Sequence, residues 1–430
     1  MIYHLFQYLE SIGADFPGLG LMHYLSFRAM MAAVTAVLVA MIAGKRIIGL
    51  LQRKQIGETV RDLGLADQIQ KKGTPTMGGV IIILSILSGV LLFCDLTNIY
   101  VILLLVSTLW CGALGFADDY IKVFKHNKEG MSEKGKLLGQ IVLGFVIGLT
   151  VWMSPDIVVR EKVEVKESIE RTLETETTVT TGRFKQENVV KSTKTTIPFV
   201  KNHEFDYRWL SPVKGTWGWY CKWAIYVLMI VLVITACSNG TNLTDGLDGL
   251  AAGTSAIVGV VLGIIAWLGG NLIDSNFLNI MYIPGSGEMA IFMSAFVGAL
   301  IGFLWFNSFP AQVFMGDTGS LTIGGVIGVA AVLMRKELLI PLLCGVFFAE
   351  SLSVLIQRTY FKITKKKYGQ GHRVWSMTPL HHHYQDKKAP EGPVLFPKPV
   401  PAQHEAKITV RFWIVGIILA VSTLALLKIR

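Results

Sequence analysis

The sequence predicts an all-α polytopic membrane protein of ten transmembrane helices with a small β-rich external insertion. Three observations predict it. Hydrophobic residues make up 52% of the 430 and charged residues 16%, against roughly 25% charged in ordinary soluble chains, and mean hydropathy is +0.51. Ten apolar runs of about 15 to 22 residues recur along the chain, each long enough for a helix to cross a ~30 Å hydrocarbon core. Basic residues also collect in alternate connections between runs, as a bilayer protein requires. The excess of 40 Lys+Arg over 30 Asp+Glu, a net +10, therefore reads as topology, and no nucleic-acid partner is expected.

The runs lie near 25–44, 78–94, 99–117, 137–153, 217–237, 250–270, 289–306, 319–334, 338–356 and 411–427. No Lys or Arg precedes the first run, so it lacks the basic start of a secretory signal and is expected to stay, with the N-terminus outside. Connections 45–75, 118–136 and 357–411 hold seven, five and eleven Lys+Arg, while the short connections of the opposite side hold none, none and two. By the positive-inside rule the first group is internal. The stretch 154–222 is external despite a dozen basic residues, because it also carries ten acidic ones and loops of that length cross regardless of charge.

The chain thus divides into 1–153, with four spans and the first two internal motif loops, an external insertion 154–216, and 217–430, with six spans and the remaining motif loops. Within the insertion, Val163-Glu164-Val165-Lys166 and Thr177-Thr178-Val179-Thr180 are β-branched and partly alternating, and Thr181-Gly182 is a turn signal. That fits hairpins, with a charge content that equally fits an unstructured loop. No chemistry is visible there, and replacing 158–212 by a short linker is expected to leave activity intact. Five cysteines (Cys94, Cys111, Cys221, Cys237, Cys344) form no C-x-x-C pair and read as packing residues.

The internal loops are unusual in carrying dense clusters of carboxylates, amides, glycines and histidines. The third run ends in Gly115-Phe116-Ala117-Asp118-Asp119-Tyr120-Ile121-Lys122. Adjacent carboxylates at an apolar helix end repel unless a cation or shared proton relieves them, which suits Mg²⁺ beside substrate phosphates, although two solvated charges ending a span would look the same. Lys122 lies one turn after Asp118. After the fifth run, Asn239-Gly240-Thr241-Asn242-Leu243-Thr244-Asp245-Gly246-Leu247-Asp248-Gly249 places Asp245 and Asp248 three apart, on one face of a helical turn, with glycines for close backbone approach. The plain alternative is an ordinary capped turn.

Asp317, between Gly316 and Gly319 at the start of the eighth run, supplies a third internal carboxylate or a mere N-cap. Met377 to Gln385 contains His381, His382 and His383, too close in sequence for a three-His zinc site and better suited to phosphate. Lys71 and Lys72 precede Thr74-Pro75-Thr76-Met77-Gly78-Gly79, where phosphate contact and snorkelling are equally open. Gly130 to Lys136 matches G-x-x-x-x-G-K, but Leu137 replaces the required Ser/Thr, so no P-loop is present. Glu350 is the notable ionisable residue within the spans, functional or structurally paired.

TPTMGG (74–79), GFADDYIK (115–122), NGTNLTDGLDGLA (239–251), FPAQVFMGDTGSL (309–321) and TPLHHHYQ (378–385) together resemble the signatures of the phospho-N-acetylmuramoyl-pentapeptide transferases, a branch of the polyprenyl-phosphate N-acetylhexosamine-1-phosphate transferase superfamily. The resemblance covers nearly the whole chain. It implies transfer of phospho-MurNAc-pentapeptide from UDP-MurNAc-pentapeptide to undecaprenyl phosphate, giving lipid I and UMP with Mg²⁺. The place would be the cytoplasmic face of the bacterial inner membrane, with ten spans, both termini outside, membrane lipids around it and a homodimeric assembly.

Carried over by motif, Asp317 would be a Mg²⁺ ligand, with Asp118 and Asp119 as the catalytic pair that orients the metal or lipid phosphate or accepts its proton. Lys71, Thr76 and Lys122 would hold phosphate or substrate polar groups. Asn242, Asp245, Asp248 and Phe314 would form the uridine end, Phe314 by stacking, with Asn239 and Gln357 also binding substrate. His382, as a catalytic group, and His383 would serve the pyrophosphate or sugar, with His381 also binding substrate. The chain departs from the pattern in its long external stretch, in the segment Asp386 to Glu405, and in Gln385, where an acidic residue is expected. Two rival readings are the sister transferase acting on UDP-N-acetylglucosamine and, from another class, a transporter of an anionic lipid, whose site would lie near the midplane instead of at internal helix ends.

Overall fold

The structure is a computed structural model that describes residues 1–13, 18–53, 73–125, 127, 129–164, 182–198, 204–278, 280–385, 392–397 and 401–427. It is mostly helical. A short amphipathic helix α1 (Ile2–Ser11) precedes α2 (Leu25–Arg53), α3 (Gly79–Phe93), α4 (Ile99–Phe124) and α5 (Glu133–Met153). Then come four strands, β1 (Val159–Glu164), β2 (Gly182–Val190), β3 (Lys194–Thr196) and β4 (Glu204–Asp206). The chain continues through α6 (Thr216–Thr244), α7 (Leu250–Gly270), the short α8 (Leu272–Leu278), α9 (Gly287–Asn307) and α10 (Gly316–Leu333). After these come α11 (Ile340–Leu343), α12 (Gly345–Tyr368), β5 (Arg373–Trp375), α13 (Leu380–Gln385), β6 (Val394–Phe396) and α14 (Glu405–Leu426).

Each of the ten apolar runs falls on a helix, but the number fit to span on its own is smaller. Among the described residues eight helices are long and apolar enough to cross a membrane, nine if the segments Glu337–Leu343 and Gly345–Tyr368, bent by 79°, form one broken span. The helix α3 is apolar but has only 15 residues. Polar caps fix several starts: the Asn98 side chain accepts from Tyr100 N, Ser132 from Gly135 N, and His404 from Ala406 N. At the other end of α12, Lys365, Lys366 and Lys367 occupy the last turn, where cations complement the helix dipole, and Gly369 leaves in the left-handed conformation.

Among the described residues the core is one large cluster with a small satellite at Leu247, Leu250 and Ile408, and α10 is buried within the large one from Thr318 to Leu333. The contacts sort the connections onto two ends of the bundle. At one end Asn98 donates to Gly285 O, Arg160 N to Tyr282 O, and Thr196 N to Arg335 O. That end also holds a pair the sequence reading did not single out: Arg28 of α2 grips Glu288 of α9 in two hydrogen bonds of 3.0 and 2.6 Å, both residues buried.

The insertion belongs to the same end and is less β-rich than expected. Its described residues form two antiparallel pairs, β1 with β2 and β3 with β4. Residues 165–181, which include Thr177 to Thr180, lie outside the described residues. The inner pair is seated on the bundle. Thr195 Oγ1 donates to Arg335 O at 3.0 Å, Lys336 Nζ to Thr196 Oγ1 at 2.5 Å, and Tyr207 OH to Glu337 Oε1 at 3.2 Å, with every one of these side chains buried. Burial, reinforced by the Glu337 carboxylate, raises the Tyr207 phenol above its ordinary range, so it stays a donor. The β3 segment and Tyr207 therefore cover a buried Arg-Lys-Glu group just beyond α10, which narrows the expectation that 158–212 can be removed.

Candidate active site

The opposite end of the bundle brings three helix termini together. Asp118 and Asp119 close the apolar part of α4, Lys136 lies in the first turn of α5, and Asp317 in the first turn of α10. Asp118 is fully buried and is met by two ammonium groups, Lys122 Nζ at 2.6 Å and Lys136 Nζ at 3.0 Å, with Met131 N donating at 2.7 Å. The same two lysines reach Asp317 Oδ2, at 3.3 and 2.5 Å respectively. Asn242 Nδ2 donates to the other Asp317 oxygen at 2.9 Å and to Ser320 Oγ at 2.9 Å.

Asp119 does something different. Its Oδ1 accepts from Asp317 N at 3.1 Å, and its Oδ2 from Thr318 N at 2.9 Å and Thr318 Oγ1 at 2.6 Å. The first N–H groups of a helix have no intrahelical partner, so a carboxylate from α4 caps α10 and fixes the residue next to it, Asp317. Close approach requires glycine here. Gly316 has φ +70°, and a Cβ on it would stand 2.6 Å from Asp119 Oδ2 and 3.1 Å from Thr76 Oγ1.

One oxygen from each of Asp118, Asp119 and Asp317 lies within 4.8 Å of the others. Three carboxylates against two ammoniums give this partly buried group a formal charge of one negative, and hard oxygen donors of this kind fit a divalent cation such as Mg²⁺. Asp118 and Asp317 are the members able to exchange an ammonium for a metal, because both Asp119 oxygens are committed to α10.

Of the sequence-nominated residues, Asp118, Asp119, Asp317, Lys122 and Asn242 converge, with Thr76 beside Gly316. Lys71 lies outside the described residues. Phe314 is half-buried, its N–H donating to Pro75 O and its carbonyl accepting from Gly78 N, both at 2.8 Å, which ties the two motif loops together. The expected helical face of Asp245 and Asp248 is not there: α6 ends at Thr244, Asp245 is its C-cap, and the chain turns to Gly249 before α7. Asp248 is buried and accepts from Ala311 N at 3.0 Å.

Others sit in structural roles. Asn239 faces across to α5, exchanging amide hydrogen bonds with Gln140 at 2.8 and 3.3 Å. Gln357 clamps β5, accepting from Val374 N and Trp375 N and donating to Trp375 O. The histidines occupy α13. His381 is buried, its N–H directed at the Glu350 carboxylate (3.2 Å) and its Nδ1 3.2 Å from Glu350 Oε2, which makes Glu350 a paired carboxylate. His382 Nδ1 is 3.1 Å from Gln385 Oε1, and His383 is buried, edge-on to the Tyr384 ring.

Lys136 is the site residue that sequence reasoning missed. It is the lysine of the rejected P-loop match, and its signal would have been its place as the last charged residue before the apolar run of a capped helix.

Comparison with known proteins identifies the family. Residues 189–335 match the family described as Glycosyl transferase family 4, and residues 71–83 match the phospho-N-acetylmuramoyl-pentapeptide-transferase signature 1. The phospho-N-acetylmuramoyl-pentapeptide-transferase of Parabacteroides distasonis is 54% identical over 430 residues, the whole of both chains. Those of Flavobacterium psychrophilum and Porphyromonas gingivalis are each 52% identical over 432 aligned residues, again the whole of both chains, so the long external stretch is within the aligned length. With 54% of its residues identical to a relative aligned from end to end, the chain belongs to the phospho-N-acetylmuramoyl-pentapeptide-transferase family.

Proposed function

We propose that the carboxylate–lysine cluster of α4, α5 and α10 is where this chain transfers phospho-MurNAc-pentapeptide from UDP-MurNAc-pentapeptide to undecaprenyl phosphate, releasing UMP and forming lipid I in peptidoglycan synthesis. The observation that carries the reading is the convergence of Asp118, Asp317, Lys122 and Lys136 within hydrogen-bonding distance at one end of a membrane bundle. Both substrates are phosphate anions, and phosphoryl transfer depends mainly on positioning and charge neutralisation. Lys122 and Lys136, already pointed at the reaction centre, draw the two phosphates together. Asp118 and Asp317 set the directions of those ammoniums, and Asn242 fixes the Asp317 carboxylate.

Mg²⁺ would be held by Asp317 and Asp118 and would supply further neutralisation of the pyrophosphate. A phosphate monoester is largely dianionic at neutral pH, its second pKa being near 6. The lipid phosphate therefore needs little help from a general base, and direct attack is favoured over a covalent aspartyl intermediate. The buried Asp118 acts first by positioning. Phe314 would stack on uracil, and His382 and His383 would meet the pyrophosphate or sugar.

The same reading places ten spans in a bacterial inner membrane, counting α3 and the broken α11–α12 segment. Both termini and the insertion are external, the carboxylate end is cytoplasmic, and the assembly is a homodimer. The test is release of UMP when purified protein in detergent is mixed with undecaprenyl phosphate and Mg²⁺. Turnover is expected with UDP-MurNAc-pentapeptide, none with UDP-N-acetylglucosamine, and none with Asp317→Asn. Turnover of the N-acetylglucosamine nucleotide alone would move the chain to the sister reaction, and substrate binding without UMP release would favour transport.

A further inference from the structure

Gln385 stands where an acidic residue is expected, and the structure contains a reason for the amide. It is buried in α13, with Nε2 3.4 Å from Glu405 Oε2 and Oε1 3.1 Å from His382 Nδ1. Glu405 is fully buried at the start of α14 and accepts from Asp248 N at 2.7 Å. Asp248 in turn accepts from Ala311 N, in the loop leading to Asp317. A carboxylate at 385 would face the Glu405 carboxylate across 3.4 Å, two like charges in a buried site.

The chemistry fixes the direction of every bond in this chain. An ionised carboxylate only accepts, so the Gln385 NH₂ must face Glu405, and the Gln385 oxygen must face the imidazole. An amide oxygen only accepts, so His382 Nδ1 must carry a proton. In the neutral ring Nε2 is then the acceptor nitrogen. We propose that Gln385 is a positioning residue for His382, holding its imidazole in the Nδ1–H form, and that this amide is matched to Glu405. The proposal rests on the reading that His382 serves the substrate phosphates or sugar. Through Glu405 and Asp248 it also ties the histidine helix to the loop that carries Phe314 and Asp317.

The test pairs a charge swap with a direct view of the ring. Gln385→Glu is expected to lower turnover about tenfold, the effect of about 1.4 kcal/mol on a barrier. The double variant Gln385→Glu/Glu405→Gln keeps a donor opposite an acceptor in each of these bonds: the new amide at 405 donates to the carboxylate at 385 and accepts from Asp248 N. It is expected to recover most of the lost turnover. A double variant no better than the worse single one overturns the matched pair.

In the parent protein with ¹⁵N-labelled histidine, at a pH where the ring is neutral, the His382 signals, assigned by loss in His382→Gln, are expected to show a protonated Nδ1 and an unprotonated Nε2. Gln385→Met should mix the two forms. The opposite tautomer in the parent overturns the proposal even if turnover follows expectation. Full turnover in His382→Gln would instead remove the underlying reading of His382 while leaving the tautomer result standing.

Discussion

Asp119 is the residue for which geometry and motif make different claims, and Asp119→Asn separates them. The carboxylate accepts three hydrogen bonds from the first turn of α10. The amide can accept on only one oxygen. If that oxygen stays with Thr318, its NH₂ group is turned on Asp317 N, 3.1 Å from the oxygen it replaces. The variant therefore loses one charge-assisted bond, worth about 1.5 to 3 kcal/mol, and leaves a buried N–H opposed by a donor at a further cost of about 1 kcal/mol or more. A loss of about 3 kcal/mol is expected, with α10 displaced at its first turn and Asp317 with it.

The assay is thermal unfolding in detergent without divalent cations, beside kcat. Asp119→Asn should lower Tm by several degrees and reduce kcat. Asp317→Asn should abolish kcat with little change in Tm, because Lys122 and Lys136 keep Asp118 as partner. An Asp119→Asn protein as stable as the parent yet inactive would refute the capping argument and return Asp119 to direct work on metal or substrate.

Lys136→Met should cut turnover at least as deeply as Lys122→Met, because Lys136 makes the shorter contact with Asp317; parent-like kinetics would remove it from the site. Deleting 161–189 through a short linker should leave turnover and Tm close to the parent. Extending the deletion through 192–207 should lower Tm by uncovering Arg335, Lys336 and Glu337; equal Tm for both deletions would contradict that. For Phe314, UMP affinity should survive Phe314→Tyr and fall by about 1 to 3 kcal/mol in Phe314→Leu if the ring stacks on uracil. Leu binding as well as the parent would end the stacking assignment.

The helices were legible because their signal is local. Apolar runs located the eight helices that are long and apolar enough to span among the described residues, while the run at 78–94 gave the shorter α3 and that at 338–356 is divided by a bend of 79°. Departures came where a partner lies far along the chain. Nothing around Arg28 announces Glu288, 260 residues away, and nothing around Thr195 announces Arg335. Asp245 and Asp248 failed for a local reason: three-residue spacing marks a shared face only if the helix continues, and Gly246 and Gly249 follow a helix that has already ended at Thr244.

The rejected P-loop shows how an exclusion on motif grounds passed over a candidate site residue. A phosphate-binding loop needs its Ser/Thr after the lysine and a strand before it; Leu137 follows Lys136, and among the described residues a helix, α4, precedes the match. Yet the first glycine and the lysine of that match both lie against the candidate site, for reasons unrelated to the motif. Gly130 has φ +67°, and a Cβ there would fall 2.5 Å from Asp118 Oδ1, so only glycine lets the chain turn against the carboxylate. Ser132 then caps α5, which carries Lys136 one turn along the new helix to Asp118 and Asp317. Neither residue can be read singly, because Lys136 reaches the site only from a helix started at that point, and the helix starts there only because the turn at Gly130 is tight. What the sequence encodes at 130–136 is thus a geometry, a close turn followed by a capped helix, and the lysine acquires its role from the α4 and α10 carboxylates that this geometry makes it meet.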